Sequence, residues 1–208
     1  MKNIFLLLFL FIISVEAFPQ LQLGISSSGG ISNVIIENRN SNNIYGNYFT
    51  PRPCSSIGIF TLEKTPNNRI SFEQGFYFET VGTRQNIPVD KYEDMKENIP
   101  GFSSPQNWPE RSLGLTVPLK VKYQFEKWLV FQAGISNTFY LYKIVGNDYT
   151  ISNLYAFRGE VGADFLLGKK IFAGINYSQD LTPCGKMTID QNYFYFQSLS
   201  LRIGYILK

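Results

Sequence analysis

Histidine is missing from all 208 residues of the chain. That absence removes Ser-His and Cys-His nucleophiles and every imidazole metal ligand. Charge is sparse as well: Asp, Glu, Lys and Arg make 17% of the sequence, where soluble domains carry roughly 25%. Less surface is being kept wet. The net charge of +3 comes from scattered bases and forms no nucleic-acid footprint. No glycine-rich loop is arranged to cradle a phosphate. After residue 20 no apolar run is long enough for a spanning helix, so membrane contact by the mature chain would have to come from strands. Cysteine occurs only twice, at Cys54 and Cys184.

What the chain has instead is alternation. Leu113, Leu115, Val117, Leu119, Val121, Tyr123 and Phe125 fall on one face, and Ser112, Gly114, Thr116, Lys120, Lys122 and Gln124 on the other. A period of two is the signature of a strand with one apolar and one polar side. Runs of this kind predict strands at about 20–28, 55–63, 70–82, 112–125, 129–142, 153–167, 171–180 and 192–207. An even number of strands can close, and about 9–11 tilted residues cross a bilayer. The pattern therefore reads as an all-β chain folded into an eight-stranded antiparallel up-and-down transmembrane β-barrel, with a high aromatic content of 16%.

Glycine distinguishes the two faces. Gly24, Gly58, Gly75, Gly114, Gly134, Gly162, Gly174 and Gly204 fall one to a strand on the polar side, and only Gly159 on the apolar side. A small barrel is crowded inside and bends its strands sharply, so the polar face is expected to be the lumen. The connections agree. Long ones at 29–54, 83–111, 143–152 and 181–191 alternate with short ones at Thr65 to Asn68, Glu126 to Trp128 and Gly168 to Lys170. Outer-membrane barrels have short periplasmic turns and long external loops, which places the N-terminus on the periplasmic side.

The start of the chain fits export. Lys2, the apolar stretch from Ile4 to Val15 and the small residue Ala17 read as a signal peptide over 1–17, leaving 18–208 as one barrel domain in the outer membrane of a Gram-negative bacterium.

The stretch from Arg111 to Phe125, which contains Val117-Pro118-Leu119 and Lys122-Tyr123-Gln124-Phe125, is followed by Phe131-Gln132-Ala133-Gly134 in the next strand. This pattern resembles the core of the PorT-like outer-membrane barrel family of Bacteroidota, whose general architecture is similar to OmpX and the OmpA barrel. The resemblance implies fold and location across the mature chain, and it admits a role in protein secretion. The sequence departs from many outer-membrane proteins in ending on Lys208 rather than Phe, although Tyr205 and Leu207 keep the alternation.

The residues that could carry chemistry lie on the lumen face: Glu73, Glu79, Lys120, Lys122, Arg158, Glu160, Asp164, Asp180 and Arg202. Unpaired charges are costly in so narrow a space, so a crossed network of ion pairs is expected to fill the barrel. Glu160 and Asp164 are spaced i, i+4 on one strand and read as lumen residues rather than an acid–base pair. Cys54 and Cys184 fall in the first and last long connections, which closure makes neighbours, so a disulfide between them is expected, with two thiols as the alternative. Aromatics in the long connections, such as Tyr45, Tyr48, Phe49, Tyr92, Phe102 and Trp108, are candidates for loop packing, for a girdle at the headgroup level or for contact with sugars and proteins.

Three functions follow. The leading one is a non-enzymatic outer-membrane barrel with a plugged lumen, acting through its external loops or in an envelope assembly. The second is a component of a secretion apparatus. The third is a secreted lipocalin-like binder whose apolar face would turn inward around a ligand. The expected setting is a monomer in outer-membrane lipid, with envelope or secretion proteins as further partners and with no cofactor and no nucleic acid.

Overall fold

The computed structural model describes residues 21–37, 49–66, 69–98, 107–144, 149–150, 155–187 and 193–207. The expected leader at 1–17 and the loop aromatics Tyr45, Tyr48 and Phe102 lie outside the described residues. In chain order the elements are β1 (Leu21–Glu37), β2 (Phe49–Lys64), β3 (Ile70–Asn86), α1 (Val89–Asn98), β4 (Asn107–Glu126), β5 (Leu129–Ile144), β6 (Tyr149–Thr150), β7 (Tyr155–Leu167), β8 (Ile171–Asp180), β9 (Gly185–Met187) and β10 (Tyr193–Ile206). Eight long strands form the wall, each antiparallel to its neighbours, and β1 pairs with β10 from Gly24↔Ile206 to Glu37↔Tyr193. The sheet is thereby closed and has no free edge along its length. β9 and β6 add a short two-strand margin beyond β10 at the long-connection end.

The alternation works as a strand signal because one side of each strand faces apolar surroundings and the other faces the interior. A slip of one residue would turn every charged side chain outward, so the register is strongly held. β4 shows it well: Lys120 pairs with Glu73 of β3 on one side and with Gly134 of β5 on the other. Pro118 interrupts the same strand. Its missing N–H coincides with a gap in the β3–β4 ladder, which jumps from Gln74↔Leu119 to Tyr77↔Thr116, while pairing with β5 continues through Pro118↔Ser136.

The strands outrun their expected limits at one end. β1 continues to Glu37, β2 begins at Phe49, and β3 reaches Asn86. Beyond the apolar zone both faces mix polar and apolar residues, with Val34 and Val81 buried and Ile35 outward, so the period of two fades while backbone pairing goes on. α1 was not expected either; it is short and polar, and it buries only Met95. No helix among the described residues is long and apolar enough to cross a membrane, which says nothing of strands.

Close packing inside the wall explains two of the strand glycines. A Cβ on Gly204 would run into the Phe172 ring, and one on Gly24 into the Phe60 ring. Gly168, with φ of 86°, supplies the left-handed residue that the β7–β8 turn requires.

Candidate functional site

The outward face is built from one exposed apolar residue after another. Ile25, Ile57, Phe78, Val121, Phe131, Val161, Ile175 and Ile203, one from each wall strand, are each between 47% and 65% exposed. A water-facing sheet does not carry so continuous a belt, since isolated apolar residues are ordinary but encircling patches are not. Aromatic rings bound it on both sides. At the turn end stand Tyr123, Phe125, Trp128 and Tyr205, with Trp128 stacked on Phe165 at 5.9 Å between ring centroids. At the other end Phe139 and Tyr155 meet at 5.4 Å. With the apolar face outward, the inward-facing calyx of a lipocalin-like binder is not formed.

The inward face gathers all nine charges named from the sequence. Near the turn end, Arg202 Nη2 donates to Glu73 Oε1 at 2.7 Å and to the Tyr77 hydroxyl at 2.9 Å. Its guanidinium lies against the rings of Phe60, Tyr77 and Phe172 at 5.4, 5.8 and 4.9 Å. Flat, delocalised and weakly hydrated, guanidinium is the cation best suited to such a stack. Lys122 Nζ sits 2.7 Å from both Glu73 Oε2 and Asp164 Oδ2. Two bases therefore balance two acids, and Glu73 and Asp164 are almost wholly buried.

A second group lies nearer the long-connection end. Arg158 bridges Glu79 at 2.7 Å through Nη1 and Asp180 at 2.8 Å through Nε. The other Asp180 oxygen accepts the Phe196 backbone N–H at 3.0 Å. Lys120 and Glu160 pair at 2.7 Å between the two groups. These bonds cross the bore, linking β3 to β10 and β3 to β7, strands that do not touch in the wall. Chemically the arrangement ties the wall together; no group of three metal-ligating side chains forms among the described residues.

The sequence reading missed the two apolar ends of the lumen. At the turn end Phe60, Leu62, Tyr77 and Phe172 cluster, with Phe60 and Phe172 edge-on at 5.8 Å. At the other end Val34, Val81, Ile87, Met95, Phe194 and Phe196 close over the upper ion pairs, joined by Phe49 and Tyr92. The signal was present: Phe172, Phe194 and Phe196 break the alternation by putting aromatics at lumen positions.

Cys54 and Cys184 do not form the expected bridge. Cys54 is a residue of strand β2 rather than of a loop, and lines a cavity in the lumen. Cys184 is packed in the apolar cap, where its Sγ donates to the Phe194 carbonyl at 3.2 Å. Each thiol is thus seated in separate surroundings.

No family model and no curated protein matches the chain. Among solved structures it is similar to neisserial surface protein A, at 8% identity, with 88% of this chain and 96% of that one covered and a TM-score of 0.45. It is also similar to the outer membrane protein AlkL in lipid bilayers, at 14% identity, 90% and 91% coverage and a TM-score of 0.43. A third likeness is to Ail, the attachment invasion locus protein of Yersinia pestis, at 10% identity, 88% and 98% coverage and a TM-score of 0.38. At such identities and scores these likenesses bring none of the neighbours' roles to this chain.

Proposed function

We propose that the chain is a non-enzymatic outer-membrane β-barrel of a Gram-negative bacterium, exported by its leader at 1–17, with a lumen that is plugged to ions. The turn end faces the periplasm, and the extended strands with α1 form an external platform. One observation carries the reading: an exposed apolar belt with aromatic margins surrounds an ion-paired interior. That inversion of the ordinary soluble pattern is what hydrocarbon outside and protein inside require.

The test combines location and closure. The protein should fractionate with outer membranes and, extracted in mild detergent, should migrate differently on a gel before and after boiling. A detergent-independent soluble protein with a single mobility would sink the reading.

Plugging has its own measurement. Eight strands leave a bore about wide enough for side chains; the apolar cap covers its long-connection end, and at the turn end, where a cavity of about 360 Å³ runs in as far as Lys122 and Asp164, Arg202 stacked on Phe60 and Phe172 fills the bore. In planar bilayers the purified chain should give little or no steady conductance. Large reproducible single-channel currents would turn the charged residues from packing into a selectivity path.

The motif around Pro118 and Gly134 favours a second reading, a PorT-like component of a secretion apparatus. A deletion strain separates the two: loss of a set of secreted proteins supports the secretion role, and leakiness with normal secretion supports the structural one.

A further inference from the structure

Between the two ion-pair groups the lumen is not solid. A cavity of about 60 Å³ lies beside the Lys120–Glu160 pair, space for about four waters at 10–15 Å³ each. Nine of its lining residues carry hydroxyls, among them Ser28, Ser56, Thr116 and Ser200. The hydroxyl wall belongs largely to β1, β2, β8 and β10, whereas Lys120, Glu160, Arg158 and Glu79 stand on β3, β4 and β7.

The cavity also comes close to the outer surface. Its lining includes Ser55 and Thr80, a cross-strand pair exposed on the outer surface and joined Oγ to Oγ1 at 3.0 Å. They stand where the β2–β3 ladder shifts register between Pro51 and Ser55. A bulge disrupts the ladder locally: the β3 pairing skips Arg52 to Cys54, and the gap is spanned by the Ser32 hydroxyl, which donates to the Gly82 carbonyl at 2.7 Å and accepts the Gly82 N–H at 2.8 Å. On these strands the apolar belt stops at Ile57 and Phe78, so the bulge lies just beyond it, on the long-connection side. The apolar cap covers the end of the bore, which leaves this thin, side-chain-bridged place in the wall as the way in.

We propose that the outer half of the lumen is a blind aqueous vestibule, entered through the wall at the β2 bulge, that binds small uncharged polyhydroxy solutes. The charges on its wall are already matched in pairs, so a solute with net charge gains little there. The hydroxyls are paired with one another, Ser28 with Ser56 and Ser178 with Ser198 each at 2.8 Å, but every such pair keeps one donor and spare lone pairs, which suits a polyol. Below, Arg202 stacked among Phe60, Tyr77 and Phe172 ends the path.

The native cysteines report on this without engineering. Cys54 lines the cavity; Cys184 is fully buried in the cap. In the folded chain in detergent, 2-aminoethyl methanethiosulfonate should modify Cys54 on the order of 100-fold faster than Cys184, and a polyethylene-glycol maleimide should reach neither before boiling. Glycerol, as the probe solute, should slow Cys54 labelling, while a polymer of matched viscosity should not. Ser200→Phe, which fills the cavity, should slow it as well. In a Cys54→Ser background, Ser200→Cys should label and Ser26→Cys, beside Arg202 on the sealed side, should not. Protection of Cys54 equal to that of Cys184, or labelling of both at one rate, would overturn the vestibule. Labelling indifferent to glycerol would overturn the binding claim.

Discussion

Arg202→Met should lower the stability of the barrel by about 3–5 kcal/mol, the usual cost of leaving a buried charge without its partner. The side chain keeps an apolar stem but loses the guanidinium that stacks on Phe60 and Phe172, and Glu73 loses its 2.7 Å bond to it. Lys122 would then face Glu73 and Asp164 alone, one base against two buried acids. Urea unfolding of the detergent-solubilised protein, followed by the loss of the fast-migrating form, reads the cost. Adding Glu73→Gln should restore much of it, because the carboxylate without a partner is then gone. A single-variant cost below about 1 kcal/mol, with no recovery in the double variant, would show that the pair is ornamental.

The exterior should be as intolerant of charge as the interior is dependent on it. Leu201 is 68% exposed on the outward side of β10, and with lipid against that face near the bilayer midplane Leu201→Arg should impair insertion by about 2–4 kcal/mol. In water the same change would be nearly neutral, since an exposed leucine gives up little there. Thr116→Ser, inside the lumen and bonded to Thr138 at 2.9 Å, keeps its hydroxyl and should be almost silent. The fraction of each variant that reaches the heat-modifiable form is the readout. Equal tolerance of both substitutions would place water, not lipid, against the belt.

Much of this was written plainly in the residues, and the reason is physical. Where hydrocarbon lies on one side and packed polar groups on the other, each strand position is constrained, so Val121 and Lys122 disclose their faces directly. The same constraint made the charged lumen residues legible as a set. Their partners were not legible: that Arg158 takes Glu79 and Asp180, while Arg202 takes Glu73, depends on strand tilt and stagger across the bore. Past the belt the constraint lapses. Gly29 to Glu37 pairs with β10 over its whole length, yet its composition resembles a loop. α1 gave little amphipathic signal because only Met95 and part of Tyr92 meet the cap. The cysteines misled for the same reason, since Cys54 was placed in a connection that is in fact strand.

The order in which the nine charges occur along the chain bears on how the barrel is made. Arg202 is the last of them, and it belongs to β10, the strand that also closes the wall against β1. Until that strand arrives, a seven-stranded curved sheet carries three bases against five acids, with Glu73 short of its guanidinium. Early collapse of such a sheet would bury the Glu73 carboxylate without its guanidinium, at the cost of an uncompensated charge. Completion of the final hairpin thus delivers the missing cation and the missing edge in one event. A chain truncated before β10 has neither, so its sheet would keep an open edge and three lumen bases against five acids.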